Sequence, residues 1–121
     1  MSNEILRMTA VELLQQYQDK TLSPVEVAGA MLDQIERLDK HTNGFCLVDR
    51  ETSLGFARES EQRYQKGEAR GLVDGVPVAV KDVFLTPMWP TIKGSRTIDP
   101  KSTLGKSAPA TAALTRHGYV P

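Results

Sequence analysis

Lys81 is the residue whose setting asks for chemistry. It stands directly after the apolar run Val76–Val80 (VPVAV) and directly before Asp82. If that run is a strand, Val76, Val78 and Val80 share one face, while Pro77, Ala79 and Lys81 share the other. Ala79 is small and leaves room beside the lysine stem. A free lysine has a pKa near ~10.4, so at pH 7 only about one molecule in 2,500 carries the neutral amine. Burial that lowers this pKa by about three, at a cost on the order of 4 kcal/mol, makes the amine a usable general base. A lysine base that activates a serine is an established alternative to histidine. The residue also has a plain explanation: lysines end strands where the chain returns to water, and Asp82 is then a surface ion-pair partner worth little.

Other reactive constellations are missing from the sequence. Cys46 is the only cysteine, so neither an intrachain disulfide nor a thiolate metal cluster can form. Next to Phe45 it reads as a core residue. His41 and His117 are far apart and neither has a ligand-spaced neighbour, so no metal and no cofactor are expected. The stretch GSRTIDPKSTLGKS lacks the spacing of a phosphate-binding loop, because Gly94 and Gly105 are too far apart. The 15 basic and 15 acidic residues cancel, so no net field favours nucleic acid or an anionic membrane. The apolar runs fall far short of the roughly 18 residues that span a bilayer, and MSNEILRMTA lacks the layout of a secretory signal. A soluble, cytoplasmic protein without nucleic-acid or membrane partners is expected.

The elements that must position Lys81 follow from local signals. Thr9 and Glu12 have capping-box spacing, which predicts a helix over about 10–19 with Val11, Leu14 and Tyr17 inward. Ser23, Pro24 and Glu26 repeat the device for a second helix, with Val27, Met31, Ile35 and Leu38 on one face, ending near Leu38. A turn and a short apolar segment (NGFCLV) lead to a third helix over about Arg50–Lys66, with Leu54, Ala57 and Tyr64 on one side. A polar, glycine-rich hinge, GEARGLVDG, precedes the VPVAV strand. Pro77 is tolerable only near the start of such a strand. Residues 85–106 form a loop longer than connectors usually are, and long loops in compact domains are often functional. A fourth helix starts near Ser107, with Pro109 in its first turn, and YVP opens a further strand. A strand, a crossover and the start of a parallel strand are normally buried on both faces. The chain therefore reads as the truncated N-terminal part of a longer α/β protein, and the half-finished sheet edge leaves homo-oligomerisation open.

The strings GLVDGVPVAVKDVF, PTIKGSRTID and SAPATAALTRHGYVP, in that order, resemble the N-terminal part of the amidase signature family. The resemblance covers about residues 67–121, and the helices before it fit the family's N-terminal arm. The implied division is a helical arm over 1–66 and, over 67–121, the first β-loop-α-β portion of the signature domain. The implied fold is an α/β/α sandwich around a mixed sheet, incomplete in this chain. The implied reaction is hydrolysis of a small-molecule carboxylic amide by a Ser–cis-Ser–Lys triad, in which Lys81 matches the lysine. As a neutral amine it would accept the proton that the cis-serine relays from the nucleophile, while backbone N–H groups of a glycine-rich loop hold the oxyanion.

The family's two serines lie in a downstream Gly/Ser-rich signature. Ser95, Ser102 and Ser107 match the loop and the helix start instead, so the 121-residue chain alone is expected to be inactive. Many relatives carry Asp where Ser107 stands, and serine caps a helix comparably well. Trp89, with Met88 and Phe84, could line a pocket for an apolar acyl group, or could pack the loop onto the body. An approach of Thr91, Gly94 and Ser95 to the lysine is implied by the resemblance alone. Three readings remain: a freestanding amidase, the amidase subunit of a tRNA-dependent amidotransferase, and a non-catalytic module if 121 residues are the whole product. The MWPTIKGSR loop departs from the Thr-Thr-Cys-Gly-Ser often found in amidotransferase subunits. The third reading expects a solvent-exposed Lys81.

Overall fold

Helix-starting signals near the N-terminus act as their spacing predicts. The computed structural model describes residues 2–121, with helices α1 (Ser2–Ile5), α2 (Ala10–Gln18), α3 (Pro24–Thr42), α4 (Arg50–Gln65) and α5 (Pro109–Arg116), and a 3₁₀ turn at Pro100–Thr103. At the head of α2 the Glu12 N–H donates to Thr9 Oγ1 at 3.2 Å, and the Thr9 N–H donates to Glu12 Oε2 at 2.7 Å. At the head of α3 the Ser23 N–H reaches Glu26 Oε2 at 2.9 Å, and the Val25 N–H donates to Ser23 Oγ at 3.0 Å. Each box satisfies N–H groups that have no partner inside the helix. α3 runs to Thr42, past the expected stop near Leu38, because no breaker intervenes before Asn43, which adopts a left-handed φ of 48°. α1 was not foreseen.

α3 and α4 form an antiparallel pair. Ser23 at the start of α3 donates to Glu61 near the end of α4 at 2.5 Å, and Arg50 at the start of α4 bridges Asp33 at 2.7 Å and Glu36 at 2.9 Å. Between these ends Ala28 and Ala57 pack together, small enough for close approach, with Val120 completing the cluster. A second cluster joins α2 to the pair through Leu13, Tyr17, Val27 and Tyr64. The Tyr17 and Tyr64 rings are 5.4 Å apart and tilted by 55°, within the range of favourable aromatic pairs. Val11, expected on the inward face of α2, is 76% exposed. Leu13 and Tyr17, four apart, define the buried stripe instead.

The expected strands do not extend. Among the described residues the VPVAV run and the YVP segment meet only as a parallel bridge between Pro77 and Val120. Val78 N–H donates to the Val120 carbonyl at 2.8 Å, and Val120 N–H donates to the Val76 carbonyl at 2.9 Å. Pro77 sits between the two bonded groups, so its missing N–H costs the bridge nothing. The mixed sheet expected from the resemblance is therefore not seen here. The chain is mostly helical, with the beginning of a parallel pair laid against α3 and α4. The helix expected near Ser107 begins later, with Ala108 as N-cap and no side-chain cap bond. The Ser107 hydroxyl lies instead 3.3 Å from that of Thr111. Cys46, expected in the core, is exposed, because residues 43–49 link α3 to α4 without regular structure of their own. Among the described residues no helix is long and apolar enough to cross a membrane.

Candidate functional site

The segment that carries Lys81 is fixed at its upstream end by a buried clasp. The Asp74 side chain is 1% exposed, and its carboxylate accepts from Ser60 Oγ at 2.6 Å, from Arg63 Nη2 and Nε at 2.7 and 2.9 Å, and from the Arg70 N–H at 2.7 Å. Burial alone would raise this carboxyl. The guanidinium, the hydroxyl and the amide outweigh it and hold Asp74 below the usual carboxylate range. The Asp74 carbonyl accepts the Tyr64 hydroxyl at 2.9 Å, and the Gly75 carbonyl accepts the Tyr17 hydroxyl at 3.0 Å. Burial and then the Asp74 charge push the Tyr64 phenol up to about 12, and burial likewise raises Tyr17. α2 and α4 thus grip the turn before the VPVAV run, where the sequence suggested a hinge. The downstream partner is gripped as well: Ser53 Oγ donates to the Pro121 carbonyl at 2.6 Å.

Beyond Val80 the chain turns, with Phe84 N–H returning to the Lys81 carbonyl at 3.1 Å. The long loop that follows is ordered by its own polar groups. Gly105 N–H donates to the Pro87 carbonyl and Ala108 N–H to the Leu85 carbonyl, both at 2.9 Å. Thr111 Oγ1 adds a bond to the Leu85 carbonyl at 2.6 Å. Trp89 ties the loop to the body through its indole N–H, which donates to Asp49 Oδ2 at 3.0 Å. Asp49 is also the N-cap of α4, accepting the Thr52 N–H at 3.1 Å. The Thr52 hydroxyl, the Trp89 indole and the Thr52 N–H hold its carboxyl below the usual range.

Between α3, the 45–49 link, the VPVAV run and this loop opens a cleft of about 380 Å³, within the usual size range of small-ligand pockets. Met31, Leu32, Phe45, Phe84 and Trp89 give it apolar walls, and Lys81 stands on its lining with Asp49, Asp82 and Thr91. The sequence-predicted residues divide between two environments. Lys81, Trp89 and Thr91 line the cleft, while Gly94 and Ser95 do not. Thr91 is buried, its hydroxyl donating to the Phe84 carbonyl at 3.3 Å and its N–H to Thr103 Oγ1 at 2.9 Å. The Ser95 hydroxyl is 2.7 Å from that of Thr97. Lys81 is exposed, so the described residues do not supply the burial a lysine base needs. Among them no group of three His, Cys, Asp or Glu side chains could hold a metal ion.

Sequence reasoning missed Asp49 and gave Asp82 only as a surface ion-pair partner of Lys81. Asp49 carries a readable signal, a capping residue three before Thr52. Asp82 does not: its partners are the N–H groups of Ile92 and Gly94, fixed only once the loop has folded.

Comparison with known proteins adds to this geometry. The family described as Amidase matches residues 26–121. One of the subunits of the glutamyl-tRNA(Gln) amidotransferase of Streptomyces coelicolor is 36% identical over 97 residues, covering 80% of this chain and 20% of the relative. The corresponding protein of Chromobacterium violaceum is 43% identical over 91 residues, covering 75% of this chain and 19% of the relative. The chain thus spans about a fifth of the length of these curated relatives. Among solved structures, a protein from a vestigial complex that "reveals the evolutionary origins of an s-triazine catabolic enzyme" superposes with a TM-score of 0.82 at 24% identity, over 93% of this chain and 25% of that one. A bacterial aryl acylamidase of the amidase signature enzymes superposes with a TM-score of 0.77 at 24% identity, over 93% and 24%. Both show a shared fold.

Proposed function

The chain belongs to the amidase family across residues 26–121, and from that we propose that it contributes the lysine of a Ser–cis-Ser–Lys centre that hydrolyses a carboxylic amide. Lys81 is the base of that centre. Its neutral amine takes the proton that the cis-serine passes from the nucleophilic serine. The serine oxygen attacks the amide carbonyl, ammonia or an amine leaves with a proton, and water then hydrolyses the ester. Both serines and the oxyanion-holding amides come from residues outside this sequence, and the burial that a lysine base needs comes from them as well. The substrate is a small-molecule amide, with Trp89 and Thr91 in the wall of its site and Gly94 and Ser95 on the adjoining loop.

The observation that carries this reading is Lys81 on the rim of an apolar cleft, directly after the clasped VPVAV run, in the string G-x-P-x-x-x-K-D. Two assays test it. The 121-residue chain, given p-nitroanilides and primary amides, is expected to release no product above buffer. Turnover abolished by Lys81→Ala in that chain would refute the need for outside serines. In the full-length enzyme Lys81→Ala is expected to lower kcat by about 10²–10⁴-fold, the usual contribution of a general base. Unchanged kcat removes Lys81 from the mechanism.

A second reading is favoured by the names of the curated relatives: the amidase component of a tRNA-dependent amidotransferase, in which released ammonia passes to a partner protein. It predicts that productive turnover depends on ATP and on that partner. Amide hydrolysis that proceeds equally without either supports the freestanding amidase.

A further inference from the structure

Asp82 follows Lys81 directly, and both of its carboxylate oxygens are engaged by the loop. Oδ1 accepts the Ile92 N–H at 3.1 Å and Oδ2 accepts the Gly94 N–H at 3.3 Å. These amides belong to a tight turn, closed by the Ser95 N–H on the Ile92 carbonyl at 2.9 Å. Its two central residues, Lys93 (φ 53°) and Gly94 (φ 67°), are both left-handed, the signature of a type I′ turn. Glycine suits such a position, whereas a lysine there is strained. Strain of this kind persists only where the surroundings over-determine it, and the Asp82 carboxylate adds two bonds to the one that closes the turn. Bonds from amides to a carboxylate are charge-assisted and stronger than neutral ones.

On the other side, the Lys81 carbonyl accepts N–H groups from Val83 at 2.7 Å and Phe84 at 3.1 Å. The peptide that joins Lys81 to Asp82 is therefore held from both ends: by its own turn through the Lys81 carbonyl, and by the loop through the Asp82 side chain. Displacement of this segment as a whole would move the Lys81 backbone, from which the side chain reaches the cleft, and pull Asp82 out of the turn together.

We propose that Asp82 is a positioning residue for the reaction of Lys81, its carboxylate locking the Ile92–Ser95 turn onto the chain beside the base so that backbone and loop fix the direction in which the amine projects. The proposal rests on the Lys81 reading above for what the amine does. Lysine cannot take this place, and a neutral amide side chain can take only part of it, since it offers one oxygen where the carboxylate offers two.

The test pairs kinetics with amide hydrogen exchange. In the full-length enzyme Asp82→Ala is expected to lower kcat about 10–100-fold with KM little changed, the scale of a misplacement near 1 Å. Asp82→Asn, which keeps one acceptor, is expected to fall between wild type and Asp82→Ala. In the 121-residue chain the same variants should accelerate exchange at Ile92 and Gly94 while Val78 and Val120 keep their protection. Unchanged kcat in both variants overturns the proposal, and so does a fall in kcat with exchange at Ile92 and Gly94 unaltered. If Asp82→Ala does not fold, Asp82→Asn decides by the same two readouts. Lys81→Ala run alongside separates the two claims: if it keeps full turnover the triad reading fails, and exchange alone then judges whether Asp82 holds the turn.

Discussion

Gly75 sits at a left-handed φ of 81°, and a Cβ placed there would meet Pro24 Cγ and Ser60 Oγ at 2.8 Å and Tyr17 Cε2 at 3.0 Å. Three elements converge on one hydrogen atom. Gly75→Ala is therefore expected to cost about 2–5 kcal/mol from backbone strain and overpacking, read as a lowered urea midpoint. The neighbouring Asp74 makes a sharper comparison possible. Arg63→Met leaves a buried carboxylate without its guanidinium and is expected to cost about 3–5 kcal/mol. Asp74→Asn removes the charge but keeps the shape, and Arg63, itself partly exposed, can turn to water, so the expected cost is about 1–3 kcal/mol. If Asp74→Asn proves the costlier, the clasp is not held by the ion pair. The pH dependence has a definite sign. Because the folded-state pKa of Asp74 lies below its ordinary value, the stabilisation is complete above the unfolded pKa near ~3.9 and is lost as pH falls through the folded value. Asp74→Asn should flatten the acid limb of the stability curve.

At the scale of elements, the caps show what local sequence can and cannot announce. Ser23 caps α3 and also reaches Glu61 of α4, so Ser23→Ala is expected to cost about 1–2 kcal/mol. Thr9 bonds only within its own exposed box, and Thr9→Ala should cost about 1 kcal/mol or less. Equal losses in thermal or urea unfolding would mean that the Ser23–Glu61 bond contributes nothing. Both boxes were legible because capping is decided within four residues. The start of α5 was misread for the complementary reason. Ser107 is a good capping residue, but it stands one position before the N-cap Ala108, and its hydroxyl lies 3.3 Å from that of Thr111, which bonds the Leu85 carbonyl, a tertiary bond that no local pattern carries. Val11 was misread likewise: its spacing fits an inward face, yet α3 and α4 approach α2 from the side of Leu13 and Tyr17. Within the candidate site, the lysine and the long loop were visible as a breach of the apolar pattern and a lack of periodicity. The two carboxylates that fasten the loop, Asp49 and Asp82, were not read as its anchors.

For the molecule as a whole, the α/β reading held at the level of the family and its fold, and not at the level of a sheet. The β-branched run at 76–80 has the composition of a strand, but a strand is defined by its neighbours, and the described residues give it one bridge. That bridge, with the contacts around it, is also the most non-local part of the structure: Tyr17 and Gly75 are 58 positions apart in sequence, and Ser53 and Pro121 are 68 apart. By contrast, Ser60 and Arg63 meet Asp74 across only 14 and 11 positions. Closing long loops is paid in entropy before their contacts form. The α3–α4 pair and its clasp on Asp74 are therefore expected to assemble early, with the Pro77–Val120 bridge closing last. Val120→Ala, which thins the cluster with Ala28 and Ala57, should then leave the refolding rate nearly unchanged and speed unfolding, whereas Ala57→Gly should slow refolding. Stopped-flow chevrons of the two variants would separate them, and a slowed refolding limb for Val120→Ala would reverse that order. Lys81 follows Pro77 by four residues, so by that order the candidate base is expected to take its position only at the final step of folding.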